Sequence, residues 1–374
     1  MNTRSISHII ASYGFMAAFT MAMGALLPYQ LNAQSKVDDI FSKPKFSGYM
    51  MGQYQSTIKD QDNSNGFNLR IARLSVTGRV LEDFEYKIQG QINGNTSTMG
   101  DSPRIVDLYT EWQKYSFAKI KVGQFKRPFT FENPMNPIDQ GFMGYSQNVN
   151  KLAGFGDRHR NHSSNGRDIG IQLQGDLLKT SSGRSLVHYQ IGVFNGQGIN
   201  VKDVDNKKDI IGGAWVSPVK GLRIGAFGWT GSYARKDKGT NNIVSLNQHR
   251  YAFSVEYKNA DWQLRSEYIH STGGAFKNSD ENDATLNTGI GNKADGVYAL
   301  CIAPIIKGKL RAKCRYDLYR QSAEWSSSRT QYEVGLNWLL HKNLEIQWEY
   351  ALINDRQLAN HNYSVIDLEF CVRF

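Results

Sequence analysis

The chain has 374 residues, of which 40% are hydrophobic and 12% aromatic, a formal net charge of +10 and a mean hydropathy of -0.49. With a single long apolar stretch, these values exclude a helical membrane protein, and three cysteines are too few for a disulfide-rich scaffold. The positive charge leaves nucleic acid, anionic lipid surfaces and small anions open as partners.

The amino-terminal segment predicts a secretory signal peptide. Arg4 supplies a positive charge, residues 9–27 contain no charged side chain, and Ala33 is a small residue suited to a cleavage point. A membrane anchor is the alternative, because the apolar stretch is long enough to span a bilayer. We expect residues 1–33 to be removed and residues 34–374 to form the mature protein.

Apolar and polar residues alternate along most of the mature chain. In residues 69–80, Arg73 and Arg79 share a polar face while Leu74 and Val76 lie on the apolar one. Successive side chains of a strand point to opposite faces, so each such segment predicts a strand with one apolar face. Sixteen strands are predicted, at about 46–54, 69–80, 84–92, 105–115, 117–124, 167–177, 185–194, 209–217, 221–230, 249–258, 261–270, 294–304, 308–319, 329–339, 344–354 and 363–374.

The connections between these strands alternate between short and long. Short turns on one rim and long loops on the other, with an even strand number, are typical of an outer-membrane β-barrel. In a soluble β-sheet protein, no physical constraint requires short and long connections to alternate along the whole chain. The apolar faces also carry aromatic residues suited to the lipid headgroup level: Trp112, Tyr251, Tyr257, Trp262, Trp338, Trp348, Tyr350 and Phe374. The sequence therefore predicts an all-β protein, a transmembrane antiparallel barrel from about residue 45 to 374, in the outer membrane of a Gram-negative bacterium.

The polar faces point into the barrel and bring both signs of charge with them. Basic residues include Arg73, Arg79, Lys87, Lys119, Lys121, Arg265, Arg311, Lys313 and Arg315, and acidic ones include Glu85, Asp107, Glu111, Glu256, Glu267, Asp317, Glu333, Glu345, Asp367 and Glu369. Rings of basic side chains select anions and rings of acidic ones select cations. The balance of inward basic and acidic residues favours a weak to moderate anion preference. The alternative is a wall whose basic and acidic side chains pair with one another and leave little net electric field in the lumen.

Residues 125–166 form the longest predicted connection. It contains Lys126, Arg127, Lys151, Arg158 and Arg160 but only three acidic residues. Long loops within a compact fold are usually functional. We expect this loop to fold into the barrel and constrict the pore; an outer lid or a trimer contact is the alternative.

Several segments resemble the phosphate-selective porin O and P family. They are K-F-S-G-Y-M from Lys45, F-N-L-R-I-A-R-L-S-V-T-G-R-V from Phe67, V-G-Q-F-K-R-P-F from Val122, N-G-R-D-I-G-I-Q-L from Asn165, V-F-N-G-Q-G from Val193 and the final V-R-F. The resemblance implies a homotrimeric porin that passes phosphate or related anions. The anion-binding or pore-lining residues expected from the resemblance and the strand faces are Arg70, Arg73, Arg79, Lys119, Lys121, Lys126, Arg127, Arg311, Lys313 and Arg315.

The chain contains no hydrolase elbow, zinc-protease, phosphate-loop or dinucleotide-binding motif, so the sequence predicts neither an enzyme nor a bound metal or cofactor. The expected partners are small anions, outer-membrane lipid and lipopolysaccharide, without nucleic acid. An adhesion protein anchored by a plugged barrel is the alternative function. Cys301 and Cys314 flank a tight turn, where either a cross-strand disulfide or simple apolar packing is possible.

Overall fold

The computed structural model describes residues 41–60, 62–93, 103–155, 164–278 and 280–374. The predicted signal peptide and the basic segment 158–162 of the long connection lie outside these residues.

Sixteen antiparallel strands close into one barrel, in which each strand pairs with its neighbours in sequence and β1 pairs with β16. The predicted strand number and fold are thus confirmed. The strands are β1 (Lys45–Ile58), β2 (Ser64–Val80), β3 (Phe84–Gln91), β4 (Arg104–Tyr115), β5 (Ala118–Lys126), β6 (Arg167–Lys179), β7 (Ser185–Phe194), β8 (Asp209–Val216), β9 (Leu222–Lys236), β10 (Ile243–Lys258), β11 (Gln263–Gly273), β12 (Lys293–Ile306), β13 (Leu310–Arg320), β14 (Ser328–His341), β15 (Leu344–Asp355) and β16 (Asn362–Arg373).

Several strands extend further at their outer ends than the sequence pattern indicated. β1 reaches Ile58 and β2 begins at Ser64, whereas the corresponding predicted strands ended at about 54 and began at about 69. β9 and β10 likewise pair as far as Lys236 and Ile243. Alternating apolar and polar residues indicate a strand only where one face of the strand contacts apolar surroundings. Where both faces are polar, the sequence does not alternate and the strand end is missed.

The predicted face assignments are borne out along the wall. Outward residues such as Leu368, Phe370 and Trp348 are exposed, whereas inward Glu369 and Gln347 are buried. Short turns join β2 to β3, β4 to β5 and every second pair thereafter, and the longer connections lie at the opposite rim. Among the described residues, no helix is long and apolar enough to cross a membrane.

The cysteine pair lies on the outer surface of the wall. The β12–β13 register sets Cys301 directly opposite Cys314, and both alternate with inward residues. Cys371 faces inward on β16 and is buried. All three cysteines are free thiols, so of the two arrangements that the sequence left open the structure has the one without a disulfide.

Candidate functional site

The connection between β5 and β6 folds back inside the barrel. We call residues 127–166 the inward loop; the structure describes 127–155 and 164–166 of it. It contains a short 3-10 turn, Pro137–Asp139, and one helix, α1 (Gln147–Leu152). Most of its residues are buried against the barrel wall, which positions the loop across the lumen.

An aromatic cluster anchors the beginning of the inward loop. Phe129 and Phe131 are almost fully buried and meet inward rings of β9. The ring centroids of Phe131 and Phe227 are 5.5 Å apart at 90°, and those of Phe129 and Trp229 are 5.6 Å apart at 75°. Edge-to-face pairs of this kind stabilise a contact beyond the area that they bury. The apolar residues of the loop thus fix it to one side of the lumen.

Wall carboxylates accept hydrogen bonds from the loop backbone. The two Glu267 oxygens accept from the N–H groups of Phe131 and Glu132 at 2.7 and 2.8 Å. Asp317 accepts from Gln147 N–H at 2.8 Å, and Glu349 accepts from Met143 N–H at 3.2 Å. A buried loop without regular secondary structure needs such partners for its backbone. Inward acidic residues of the wall are therefore engaged in holding the loop.

Wall cations satisfy the carbonyl groups of the same loop. Arg250 Nη1 donates to Leu152 O at 2.6 Å, Lys313 Nζ to Gly141 O at 3.1 Å, and Arg315 Nη1 to Gly144 O at 2.9 Å. Arg315 also forms an ion pair with Glu333, and Lys313 pairs with Glu349 at 2.8 Å. Lys313 and Arg315 thus bind the loop and neighbouring acidic residues at the same time.

The local sequence explains both ends of the inward loop. At its start, Arg127 pairs with buried Asp168 at 2.9 Å. At its end, Asn165 and Gly166 both have positive φ, a conformation that asparagine and glycine tolerate better than other residues. A Cβ on Gly166 would also lie 2.1 Å from Asn133 Oδ1. The Asn-Gly pair thus permits the sharp return into β6.

Within the described part of the chain, three cavities lie between the inward loop and the wall or the outer loops. An outer vestibule of about 740 Å³ lies among the long loops and is lined by residues such as Lys59, Lys277 and Gln357. A central cavity of about 390 Å³ lies between the loop and strands β1, β2 and β13–β16. The vestibule and the central cavity share Tyr145, Asn150, Arg329 and Gln331, so they adjoin. A third cavity of about 210 Å³, the inner chamber, lies beside β3–β7.

A β-bulge brings Arg70 to the central cavity. Met51 pairs with Ile71 and Gly52 with Leu69, so Arg70 is the extra residue on β2. Strict alternation from Arg73 would place Arg70 on the lipid face. Instead its Nη1 donates to Glu369 at 2.7 Å inside the barrel.

The inner chamber is predominantly basic. Its lining includes Lys87, Lys121, Lys126, Arg127 and Arg167, against Asp107 as the one acidic residue. Asp107 is already paired with Lys87 at 2.8 Å and with Arg167 at 2.5 Å. Among the described residues, the buried Nη2 atom of Arg167 has no hydrogen-bond acceptor. A guanidinium donor left in this state at a cavity is suited to an anionic ligand.

Lys126 and Tyr145 lie between the two inner cavities. Lys126 lines the inner chamber and Tyr145 the central cavity, and Lys126 Nζ donates to Tyr145 Oη at 2.6 Å. Lys126 also donates to the carbonyls of Asn133 and Met135 at 2.7 and 2.6 Å.

The predicted site residues occupy several different places. Arg70 and Arg315 line the central cavity, and Lys121, Lys126 and Arg127 line the inner chamber. Arg73 is buried against Tyr49, Gln91 and Asn165, and Lys313 is buried under the loop, so neither lines a cavity. Lys119, Arg79 and Arg311 lie on the inward face near the short-turn rim, outside all three cavities.

Lys87, Arg167 and Arg329 also line the cavities but were not predicted as site residues from the sequence. The strand alternation does place Lys87 inward, and charge pairing with Asp107 would have marked it as a candidate. Arg167 immediately follows the Asn-Gly turn, and Arg329 begins a predicted strand after a long loop. The positions of both depend on how the inward loop returns and packs, which is a contact between distant segments.

A family model and solved structures match this chain. The model of the family "Phosphate-selective porin O and P" matches residues 48–287. An anion-selective porin from Comamonas acidovorans is 14% identical, with a TM-score of 0.64, over 89% of this chain and 99% of that one. Salmonella typhi OmpF, solved in complex with daunomycin, is 12% identical, with a TM-score of 0.64, over 90% and 99%.

A further solved structure, the trimer form of in-vitro folded OmpT of Vibrio cholerae, is 11% identical, with a TM-score of 0.58, over 90% of this chain and 100% of that one. At these identities the structural matches establish a shared barrel fold. No curated protein sequence matches the chain significantly.

Proposed function

The chain belongs to the phosphate-selective porin O and P family, and we propose that its channel prefers small anions such as phosphate, with the inner chamber as the selective site. Family and fold identify an outer-membrane porin that forms a passive channel. We propose in addition that the channel prefers phosphate and that the residues of the inner chamber cause this preference.

The observation that carries the proposal is the charge balance of the inner chamber. Among the described residues its lining has five basic residues and one carboxylate, Asp107, which Lys87 and Arg167 share, while Arg127 is paired with Asp168 outside the lining. Arg167 keeps an unsatisfied N–H donor, and Lys121 lies 3.7 Å from Glu111 with its side chain still partly exposed. Basic side chains in a confined, low-dielectric passage attract anions and repel cations.

Many inward acidic residues do not oppose this field. Glu267, Asp317 and Glu349 accept backbone hydrogen bonds from the inward loop, and Glu333 is paired with Arg315. Neutral N–H donors leave a carboxylate charged, but Glu349 and Glu333 are paired with Lys313 and Arg315, and a carboxylate paired with a cation contributes little net charge to a passing solute. The anion preference therefore depends on the few cations that remain near open space.

We also propose the inward loop as the constriction. An anion would enter through the outer vestibule, reach the central cavity beside Arg70 and Arg329, and meet the Lys126–Tyr145 contact before the inner chamber. The loop occupies the lumen over its described length, which supports this path.

A homotrimer in outer-membrane lipid, with lipopolysaccharide around the outer rim, is part of the proposal. The trimer form of OmpT of Vibrio cholerae, a barrel of similar fold, supports the assembly. The exposed apolar belt of the wall supports the lipid contact.

The test is phosphate competition in a planar bilayer. Refolded protein should conduct chloride, and added phosphate should lower the chloride current in a saturable manner. If phosphate does not reduce the chloride current, the protein is a porin without a phosphate-binding site. No current from correctly folded barrels would contradict an open channel and favour a barrel that anchors a surface protein.

A further inference from the structure

The short-turn rim of the barrel carries an uneven share of the positive charge. We define this basic rim as residues 41–45, 81–83, 114–117, 178–184, 217–221, 258–262, 306–309 and 340–343. Its ten basic residues are Lys43, Lys45, Lys114, Lys179, Arg184, Lys220, Lys258, Lys307, Lys309 and Lys342, and its three acidic residues are Glu82, Asp83 and Asp261.

The opposite rim has no such excess. The outer loops within the described residues are 59–63, 195–208, 237–242, 274–292, 321–327 and 356–361, with positions 61 and 279 left out. They carry seven basic and nine acidic residues. The positive charge is therefore concentrated at one rim.

Most of the rim lysines are exposed and lack an acidic partner. Lys114 lies 4.0 Å from Asp83, and Lys307 lies 3.7 Å from Asp261. The other eight basic residues of the rim make no ion pair within the described part of the chain. Like charges gathered on one rim repel one another, and an anionic surface opposite them would relieve that repulsion.

Exposed apolar side chains stand next to these lysines. Leu178 precedes Lys179, Val219 precedes Lys220, and Ile305 lies two residues before Lys307; all three apolar residues are more than half exposed. Beside Lys114, the exposed rings of Tyr115 and Phe117 stack 5.4 Å apart. Lysine next to aromatic and aliphatic side chains is the pattern of a membrane–water interface, where the lysine amine reaches the headgroups.

We propose that the basic rim binds the phosphate headgroups of anionic phospholipids in the inner leaflet of the outer membrane. Short turns of such barrels face the periplasm, so the rim lies at that leaflet. Each lysine near an anionic bilayer surface strengthens binding about fivefold. The neighbouring apolar side chains need acyl chains beside them, which a soluble anion or a cell-wall polymer does not supply.

The test compares lipid binding by two charge-matched variants. The rim variant is Lys220→Gln, Lys309→Gln and Lys342→Gln, and the control is Lys202→Gln, Lys236→Gln and Lys238→Gln in or beside the outer loops. All six lysines are exposed. Delipidated protein in neutral detergent is titrated with phosphatidylglycerol or phosphatidylcholine, and bound lipid is counted by native mass spectrometry.

The wild-type protein and the control variant should prefer phosphatidylglycerol, and the rim variant should bind it at least tenfold more weakly. Equal loss in both variants, or no loss in the rim variant, would overturn the proposal. So would full displacement of the lipid by inorganic phosphate, because the rim would then be a site for a soluble anion. Heat-modifiable gel migration checks that each variant is folded. If the triple rim variant does not fold, the single variants Lys220→Gln and Lys342→Gln are tested in its place.

Discussion

Lys126 Nζ donates a 2.6 Å hydrogen bond to Tyr145 Oη, and the two side chains line different cavities of the same lumen. Lys126 ends β5 at the inner chamber, whereas Tyr145 lies on the inward loop at the central cavity. The bond joins the wall to the loop and links the lining of one cavity to that of the other. A change at this contact should alter both the stability of the loop and the passage of ions.

Lys126→Ala should raise single-channel conductance, because it removes bulk between the cavities. It also leaves the buried carbonyl of Asn133 without its donor, at a cost of about 1–3 kcal/mol in the free energy of unfolding, whereas Met135 O keeps the hydrogen bond that Tyr145 Oη donates at 2.8 Å. Tyr145→Phe is the control. It keeps the ring, so conductance should stay near the wild-type value while stability falls by about 1 kcal/mol. Unchanged conductance in Lys126→Ala would show that ions do not pass this contact.

Lys121→Glu should shift the reversal potential toward cations in a salt gradient. The side chain lines the inner chamber, 3.7 Å from Glu111 and over the Tyr109 ring. Lys119→Glu is the matched control, because Lys119 lies two residues away on the same face of β5, pairs with Asp176 at 3.6 Å and lines no cavity. Equal shifts in both variants would mean that the whole wall, rather than the chamber, sets selectivity.

Arg373 and Asp139 should be coupled. Arg373 on β16 pairs with Asp139 of the inward loop at 2.6 Å and donates to Ile138 O at 2.8 Å. Both side chains are partly exposed, so solvent screening limits the coupling to about 0.2–1 kcal/mol in a double-mutant cycle with Arg373→Ala and Asp139→Ala. Arg373→Ala should also increase current noise, since it releases the tip of the loop. Noise equal to the wild type would argue against a tether at this position.

Glu267→Ala should be the most damaging of these substitutions. The Glu267 carboxylate accepts from two loop N–H groups, from Tyr298 Oη at 2.7 Å and from Ser254. Each buried donor left unsatisfied costs about 1–3 kcal/mol, so urea denaturation should show a large loss of stability. Exposed Glu82→Ala, on a short turn, is the control and should change little. A small loss in Glu267→Ala would show that the loop does not depend on this carboxylate.

The sequence predicted the barrel well because lipid imposes a strict requirement on each strand. An outward position within the bilayer must be apolar, so Leu368 and Phe370 determine the face of β16 and hence the inward direction of Glu369. The register follows from that alternation and from the short turns. Where both faces leave the lipid, as at Lys236 and Ile243, the pattern no longer marks the strand end.

The site was less predictable because it depends on contacts between distant segments. Alternation places Arg73 and Lys313 inward but does not show that the inward loop buries them. Alternation alone assigns Arg70 to the lipid face, and a bulge reverses that assignment. The inward acids suggested an opposing field, whereas Glu267 and Asp317 are bonded to the loop backbone. The differences at Arg73, Lys313 and the inward acids arise from the packing of the inward loop, and the difference at Arg70 arises from the β-bulge.

The reversal potential of the wild-type channel under a potassium chloride gradient tests the central claim most directly. An anion preference predicts that the potential moves toward the chloride equilibrium value, and more strongly at low ionic strength, where the field of Lys121 and Arg167 is less screened. A potential near the potassium equilibrium value would contradict the account.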